Sequence, residues 1–534
     1  VERKRGKKEL KEEFKALGAA EFFERYPELM GYSNPARAIF QTVKEMLDNA
    51  LDAAEIAGIL PKVVIHIQEA DSQKKIYKIT VDDNGIGVPY EKAPYAFGRV
   101  FFSSKYVERQ TRGAYGLGIK GALIVSQKQV GEPMDVITAP IVEKDNVYRF
   151  KLMIDINKNE PNVRMRGSWT KAGAWHGTRV SVLMLGDWRR GKSRTLEYIR
   201  RTAIIAPYAD ITVITPDGVM IRYPRRAKEM PPPPKEVKPH PKGVDLELMK
   251  RIVSSTTAKT VFQMLREEFQ AIGPKTATEL LKMADIEPST SPKELTEEQL
   301  KRLIEAIQSY KKFRAPSADA LSPIGEKLIK IGLKTLLKPE FVTAVTRKPS
   351  SYAGHPFIVE VGLAYGGEIQ PSDTPILLRY ANKTPLLYNE RSDVSWKVVS
   401  EIDWRNYKVT FPAPLVVLVH IASTKVPFKE ASKDAITDAP EIEKEIRLAL
   451  QEAARKLKRY IIRKKKEEEK MEKIVTLMKY IPEIVRSLSI LSIDPEKKKK
   501  TVDEKLLEEK LKEIIAKELG IPKEKLPDVV IEID

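Results

Sequence analysis

From Ala36 to Ala57 apolar residues recur every three to four positions, which predicts one long amphipathic helix. At 100° per residue Val43, Met46, Leu47, Ala50 and Ala54 fall on one side, while Glu45, Asp48, Asn49 and Asp52 share a narrow sector opposite. The period then changes to two. Val63–Ile67 and Ile76–Val81 alternate as half-buried strands, Thr178–Leu183 reads as another, and mixed helix and strand continue to about Arg226. Ahead of the first helix, residues up to about Asn34 read as a polar arm followed by a short helix. Pro231-Pro232-Pro233-Pro234 marks a stiff linker, because consecutive prolines fit neither a helix interior nor a sheet.

Asp245 to Lys312 reads as small and almost wholly helical. Within it, Ile272-Gly273-Pro274-Lys275 is a turn between two helices, either a nucleic-acid-associated hairpin or a plain helical spacer. From Phe313 to Lys458 strands and helices return, including the very apolar run Leu415–Val419, and a helix is predicted from Ile442 to Tyr460. The tail beyond is charged and mostly helical, with Arg463–Lys470 and Lys497–Lys500 as its densest runs. It lacks a large core of its own, so it is a solvated extension or a partner-docking element. No internal repeat is visible.

Composition narrows the class. A chain of 534 residues has room for three or four domains. Zero cysteines exclude disulfides and thiolate metal sites. The charged start Val1-Glu2-Arg3-Lys4-Arg5 is followed by no apolar segment, so no signal peptide is expected. No apolar run approaches the ~18–20 residues of a membrane span, and a cytoplasmic protein is the expectation. Lys and Arg total 93 against 74 Asp and Glu, a net charge of +19 that suits a polyanion, most plausibly nucleic acid. The same 31% of charged residues also fits the solvated surface of a thermophilic protein.

The polar sector of the first helix carries candidate chemistry. An Asn among three acids offers hard oxygen donors suited to Mg²⁺. Glu45, one turn before Asn49, is placed to polarise a water attacking a phosphate; a plain surface helix would show the same pattern. Asp82-Asp83-Asn84-Gly85-Ile86-Gly87 follows a strand. Glycines one residue apart let a ligand approach the main chain, and a carboxylate before them can accept from an exocyclic amine such as adenine's. An Asp-Gly hairpin turn is the plain alternative. Arg112-Gly113-Ala114-Tyr115-Gly116-Leu117-Gly118-Ile119-Lys120-Gly121 holds four glycines in nine positions from Gly113. Opening a helix, such a loop presents N–H groups and a positive dipole end to phosphates, with Ser103-Ser104-Lys105 adding a hydroxyl and a cation; otherwise it is a flexible loop. Trp175-His176-Gly177-Thr178 precedes a strand, which puts Thr178 near the base. Gly186-Asp187-Trp188-Arg189-Arg190-Gly191-Lys192-Ser193 matches the P-loop expression ahead of a helix expected near Thr195. Trp188-Arg189-Arg190 is too bulky for a phosphate cradle, so the match reads as a decoy.

In order and spacing these segments resemble the boxes of the GHKL ATPase superfamily, which includes gyrase, MutL-type repair proteins, heat-shock chaperones and histidine kinases. The resemblance implies Glu45 as general base, Asn49 as Mg²⁺ ligand, and Asp83 as acceptor of the adenine amine with Gly85 and Gly87 beside it. It implies that Gly113, Ala114, Tyr115, Gly116, Leu117, Gly118, Ile119 and Lys120 wrap the phosphates of ATP, with Ser104, Lys105 and Thr178 completing the contacts. None of the five histidines, His66, His176, His240, His355 and His420, sits in a helical dimerisation pattern, which disfavours the kinase branch.

Glu45–Ala53, Tyr115–Gly121 and Ala422-Ser423-Thr424-Lys425-Val426-Pro427 are similar to the B subunits of archaeal-type DNA topoisomerase VI, over about residues 1–470. That resemblance implies a multidomain α+β chain. Its parts are an N-terminal arm (1–34), a GHKL (Bergerat) ATPase sandwich (35–230), an all-helical helix–two-turn–helix insert (231–312), an α/β transducer domain (313–465) and a charged helical C-terminal region (466–534). It also implies an ATP-dependent homodimer within an A2B2 heterotetramer, with partial exchange of the N-terminal arm. Lys425 would be the switch lysine that reaches the γ-phosphate and stabilises developing charge, with Lys429 and Lys433 as close alternatives. A partner topoisomerase VI A subunit would cut one DNA duplex while a second passes, relaxing supercoils and decatenating. The chain has no Asp-x-Asp pair, so the cutting chemistry is expected on another polypeptide. Asp403-Trp404-Arg405-Asn406-Tyr407-Lys408 interleaves aromatics with cations, as a DNA grip does, or is a partly exposed strand and turn. A MutL-type repair ATPase and a chaperone clamp are the competing functions; the helical insert argues against both, and the basic charge against the second.

Overall fold

The helix expected from Ala36 follows a short one, α1 (Ala19–Arg25), and is α2 (Pro35–Glu55). Asn34 Oδ1 accepts from the Arg37 amide at 2.9 Å and Pro35 takes the first turn, so a side-chain cap and a preset φ both start the helix there. The computed structural model describes residues 17–103, 108–113, 116–430, 433–492, 502–520 and 522–526. Ser104, Lys105, Ala114, Tyr115, Lys497–Lys500 and residues 1–16 of the arm lie outside them. The chain divides into residues 1–403 with 411–454, and 404–410 with 455–534.

In the first unit, β1 (Lys62–Asp71), β2 (Ile76–Asp83), α3 (Ala93–Gly98), α4 (Gly118–Gln129), β3 (Met134–Ala139), β4 (Asn146–Asp155), β5 (Glu160–Thr170), β6 (Gly177–Leu185), α5 (Trp188–Ile205), β7 (Asp210–Ile214) and β8 (Met220–Tyr223) follow α2. The strands form one sheet in the order β5-β4-β3-β6-β2-β1-β7-β8, antiparallel except for the β1–β7 pair. Alternation along β1 and β2 buries Ile65, Ile67 and Ile79 in one core with Ile39, Val43, Leu47 and Leu51 of α2. Each such side chain contributes roughly 1.5–3 kcal/mol by leaving water.

The proline linker is fastened rather than free: the Lys235 amide donates to Asp319 O and the Val237 amide to Glu108 O. The helical segment is α6 (Leu246–Ser255), α7 (Val261–Glu268), α8 (Pro274–Ala284) and α9 (Glu297–Ser309). Asp245, Thr260 and Thr296 cap α6, α7 and α9, and Met249, Leu265, Leu280, Leu281, Leu303 and Ile307 share its separate core. A second sheet follows α10 (Glu326–Leu337). It contains β9 (Phe341–Thr346), β10 (Ser350–Tyr352), β11 (His355–Tyr365), β12 (Ile376–Ala381), β13 (Thr384–Leu386) and, after α11 (Val394–Glu401), β14 (Leu415–Ser423). The order is β10-β11-β14-β12-β13, with β9 also on β11. Every residue of β14 is buried, which is why this central strand reads as a continuous apolar run instead of alternating.

Two expectations need correction. The helix predicted to stop at Tyr460 is α12 (Pro440–Leu491). Arg463–Glu467, Lys464–Glu468 and Lys465–Glu469 pair one turn apart at 3.8–3.9 Å, so the charged run is itself helical surface. In the second unit α12 and α13 (Glu504–Leu519) share only a small cluster around Ile474, Met478, Ile481 and Val485. The stretch at Asp403–Lys408 is not a strand: Trp404–Tyr407 is a 3-10 turn, and Trp404 is buried rather than offered to a ligand.

Candidate nucleotide site

Residues 37, 41, 45 and 49 recur one turn apart on α2 and line one cleft, together with Lys44, Asp48, Gly113, Gly116, Leu117, Gly118 and Lys433. The polar sector of α2 is therefore split. Glu45 and Asn49 line the cleft half-exposed, Asp48 borders it but is itself buried, and Asp52 is buried away from it. Asp48 Oδ1 accepts from the Tyr198 hydroxyl at 2.7 Å, and Asp52 accepts from Arg112 at 2.6 Å. Gln41 Nε2 (2.7 Å) and Lys44 Nζ (3.1 Å) both donate to Glu45 Oε1. Glu45 Oε2 lies against Gly118, where a Cβ would come within 2.0 Å of it. Any larger residue would have to push the Glu45 carboxylate aside.

Gly118 opens α4, whose N-cap Leu117 makes no side-chain cap bond. Its first amides thus lack an intrahelical acceptor, and Gly118 itself lines the cleft, an arrangement that attracts anions. The rest of the glycine-rich segment divides. Ile119 is buried in the core, and Lys120 is buried with Nζ donating to Phe102 O at 2.8 Å.

A second cluster is built where β2 ends. Asp83 Oδ1 accepts from the amides of Gly85 (2.8 Å) and Thr178 (3.1 Å). Gly177 has φ 132° and stands so close to Asp83 O that a Cβ would meet it at 2.1 Å, which pins β6 to the elbow. His176 Nδ1 lies 2.8 Å from Gly85 O, and the Ile86 amide donates to Ala53 O of α2. Gly87 backs onto Ala139 of β3. Burial pushes the Asp83 carboxyl up to about 7, outweighing the two amides, which favour the charged form.

The three lysines after β14 take different places, although Lys425 and Lys433 border the same groove. Lys433 lines the cleft of Glu45 and Gly118; Lys425 lines an adjoining groove with Asn382, Thr424 and Phe428; Lys429 pairs with Asp438 at 3.1 Å. The P-loop match is a helix start. Asp187 caps α5, taking the Arg190 amide on Oδ1 and the Gly191 amide on its carbonyl, while Lys192 pairs with Asp217. Those amides have no capacity left for phosphate. Sequence reading missed Gln41, which the four-residue spacing to Glu45 could have flagged, and the buried grip of Arg112, whose partners lie 57 and 60 positions away with no local signal.

Three family models match the chain. Residues 34–156 match the histidine kinase-, DNA gyrase B- and HSP90-like ATPase, residues 316–473 the topoisomerase VI B subunit transducer, and residues 223–323 the NFACT N-terminal and middle domains. The B subunit of type 2 DNA topoisomerase 6 from Metallosphaera sedula is 51% identical over 513 residues, covering 96% of each chain. The same-named protein of Sulfurisphaera tokodaii is 50% identical over 522 residues, covering 97% of this chain and 98% of its own. That of Saccharolobus shibatae is 48% identical, covering 96% and 97%. With such identity along nearly the full length of both chains, the chain belongs to the family of type 2 DNA topoisomerase 6 B subunits.

Proposed function

We propose that the chain is the ATP-binding and ATP-hydrolysing subunit of a type IIB DNA topoisomerase. ATP-driven dimerisation of two copies, within an A2B2 assembly, gates passage of one duplex through a break made by the A subunit. The observation that carries this reading is the cleft in which Glu45 and Asn49, one turn apart, face the uncapped start of α4. Glu45 takes the proton of the attacking water, steadied by Gln41 and Lys44 on one oxygen. The amides of Gly113 to Lys120 hold the phosphates, and Asp83 with Thr178 holds the adenine.

The residues fit Mg²⁺ that is carried largely by the nucleotide. Such an ion takes only one or two protein oxygens, here Asn49, and keeps waters and phosphates for the rest. Among the described residues no cluster of three or more acidic or histidine side chains forms a protein cage for it. Bound there, Mg²⁺ supplies charge neutralisation on the phosphates.

We assign the γ-phosphate contact to Lys433 instead of Lys425, because Lys433 shares the cleft with Glu45. The boundaries 35–230, 231–312 and 313–465 follow the order of sheet, helices and sheet, while the division between 313–465 and 466–534 falls inside α12. No described helix is long and apolar enough to cross a membrane; with DNA as substrate, we place the protein in the cytoplasm.

Gel filtration with a non-hydrolysable ATP analogue should convert monomer to dimer, and the chain with its A partner should relax supercoiled plasmid only with ATP. Hydrolysis without any topological change in the complete assembly would favour a repair-type clamp. Gly118→Ala should keep the melting temperature within a few degrees but cut ATP turnover at least ~10-fold, since the new methyl displaces the Glu45 carboxylate. Turnover at the wild-type rate would remove that carboxylate from the chemistry.

A further inference from the structure

Between the nucleotide cleft and the second sheet runs a buried chain of polar groups that none of the roles above uses. Arg112, the residue before Gly113, donates to Asp52 and to Glu55, both at 2.6 Å, with its side chain 2% exposed. Glu55 also accepts from the Tyr208 hydroxyl at 2.7 Å and from Lys383 Nζ at 3.1 Å. Lys383 sits in the tight turn between β12 and β13 with φ 66°, buried, and its Nζ donates as well to Ser322 Oγ at 2.9 Å.

The chain continues through the main chain of the same residue. The Lys383 amide donates to His420 Nε2 at 3.0 Å, which makes that nitrogen an acceptor and puts the imidazole proton on Nδ1. Nδ1 then donates to Glu360 Oε2 at 2.8 Å. Glu360, fully buried, takes three further donors: the amides of Ile324 and Gly325 and the Thr346 hydroxyl. Beside it, Asn382 Nδ2 donates to Thr111 O and to Ser423 O, and its Oδ1 receives the Ser423 amide. Gln110 is laced to the segment 320–322 by its own amide and by both ends of its side chain.

Three things are thereby held as one block: the segment ahead of Gly113 (110–112), the connection ahead of α10 (320–325), and the β12–β13 turn. One side of the block is α2, which carries Glu45 and Asn49. The other is β14, which leads to Lys425 and Lys433. Apolar packing would brace these elements with less desolvation cost. Directional ion pairs instead have discrete made and broken states, as an element that reports a distant change requires.

We propose that Lys383 is a positioning residue that couples the state of the nucleotide cleft to the second sheet, through its joint hold on Glu55 and Ser322. It touches neither the cleft nor its nucleotide, so its loss acts on coupling and not on the chemical step. The proposal rests on the ATP-gated reading above.

The test uses the complete assembly with its A partner and measures ATP hydrolysed per supercoil removed. In Lys383→Met, Glu55 keeps Arg112 and Tyr208, so no buried charge is stranded. ATP turnover should stay within about twofold of wild type while strand passage per ATP falls at least ~10-fold. Lys383→Arg, which restores a cation in reach of Glu55, should recover most of the ratio. Ser322→Ala, losing one acceptor and no packing volume, should lower it about two- to threefold, and serves if the methionine variant fails to fold. An unchanged ratio in both Lys383→Met and Ser322→Ala, or in Ser322→Ala alone should the methionine variant not fold, overturns the proposal. So does an equal fall in hydrolysis and passage, which marks a brace and nothing more. A wild-type assembly that hydrolyses ATP without relaxing plasmid refutes the functional reading instead, whatever the variants do.

Discussion

Asp83→Asn is expected to weaken ATP binding by roughly ten- to hundredfold and to make the pocket prefer inosine triphosphate. The reason lies in the two amides that converge on Oδ1, from Gly85 and Thr178. An asparagine must keep its oxygen where they point, because its nitrogen there would set donor against donor. Its NH2 group then takes the place of Oδ2 and meets the adenine amine, also a donor. Leaving such a buried pair unsatisfied costs about 1–3 kcal/mol. Inosine carries a carbonyl at that position and accepts what asparagine offers. Lys192→Ala, at the decoy loop, should bind ATP as the wild type does. Titration of both nucleotides against the three proteins checks this; a variant that still favours ATP would mean the base does not sit on Asp83.

The same carboxyl gives a pH dependence. Burial holds it at about 7 in the free protein, so below that pH it is protonated and accepts only weakly, while above it the carboxylate accepts the amine with full charge. Binding the amine favours ionisation, so the preference for ATP over inosine triphosphate should grow from pH 6 to pH 8 and level off above. Taking the ratio of the two cancels titration of the phosphates, which they share. Asp83→Asn should show no such slope.

Glu45→Gln is the second large effect, and it should separate binding from hydrolysis. Gln41 and Lys44 both donate to Oε1, so the glutamine oxygen stays there and its NH2 turns toward Gly118 and the phosphates. An amide cannot take the proton of an attacking water, and turnover should fall ~10²–10⁴-fold. Nucleotide affinity should hold or rise, since a negative charge facing the triphosphate has gone. The variant should therefore still dimerise with ATP on gel filtration and stay dimeric, as the wild type does only with a non-hydrolysable analogue. Turnover within threefold of wild type would exclude Glu45 as the base.

Much of this site could be read in the chain. The 3.6-residue period puts Glu45 and Asn49 on one face with no knowledge of the fold. The Asp-x-Gly elbow and the glycine run likewise carry their meaning in their spacing. What that reading could not do was divide the polar face. Asp48 and Asp52 fall in the same sector as Glu45, yet Tyr198 and Arg112, brought from 150 and 60 positions away, turn them into buried partners. The P-loop match already read as a decoy from the bulk of Trp188-Arg189-Arg190, and the structure adds that Asp187 caps α5.

The lysines after β14 mark the limit most clearly. Lys425, Lys429 and Lys433 look alike in sequence, yet the fold pairs Lys429 with Asp438, puts Lys425 and Lys433 on one groove, and brings Lys433 alone of the three onto the cleft of Glu45. The chain alone determined which side chains share a helix face and where its turns need glycine, because those follow from local periodicity and backbone sterics. Tertiary structure decided which charges are buried, which are paired and which face the cleft, because desolvation and ion pairing depend on groups that only folding brings together.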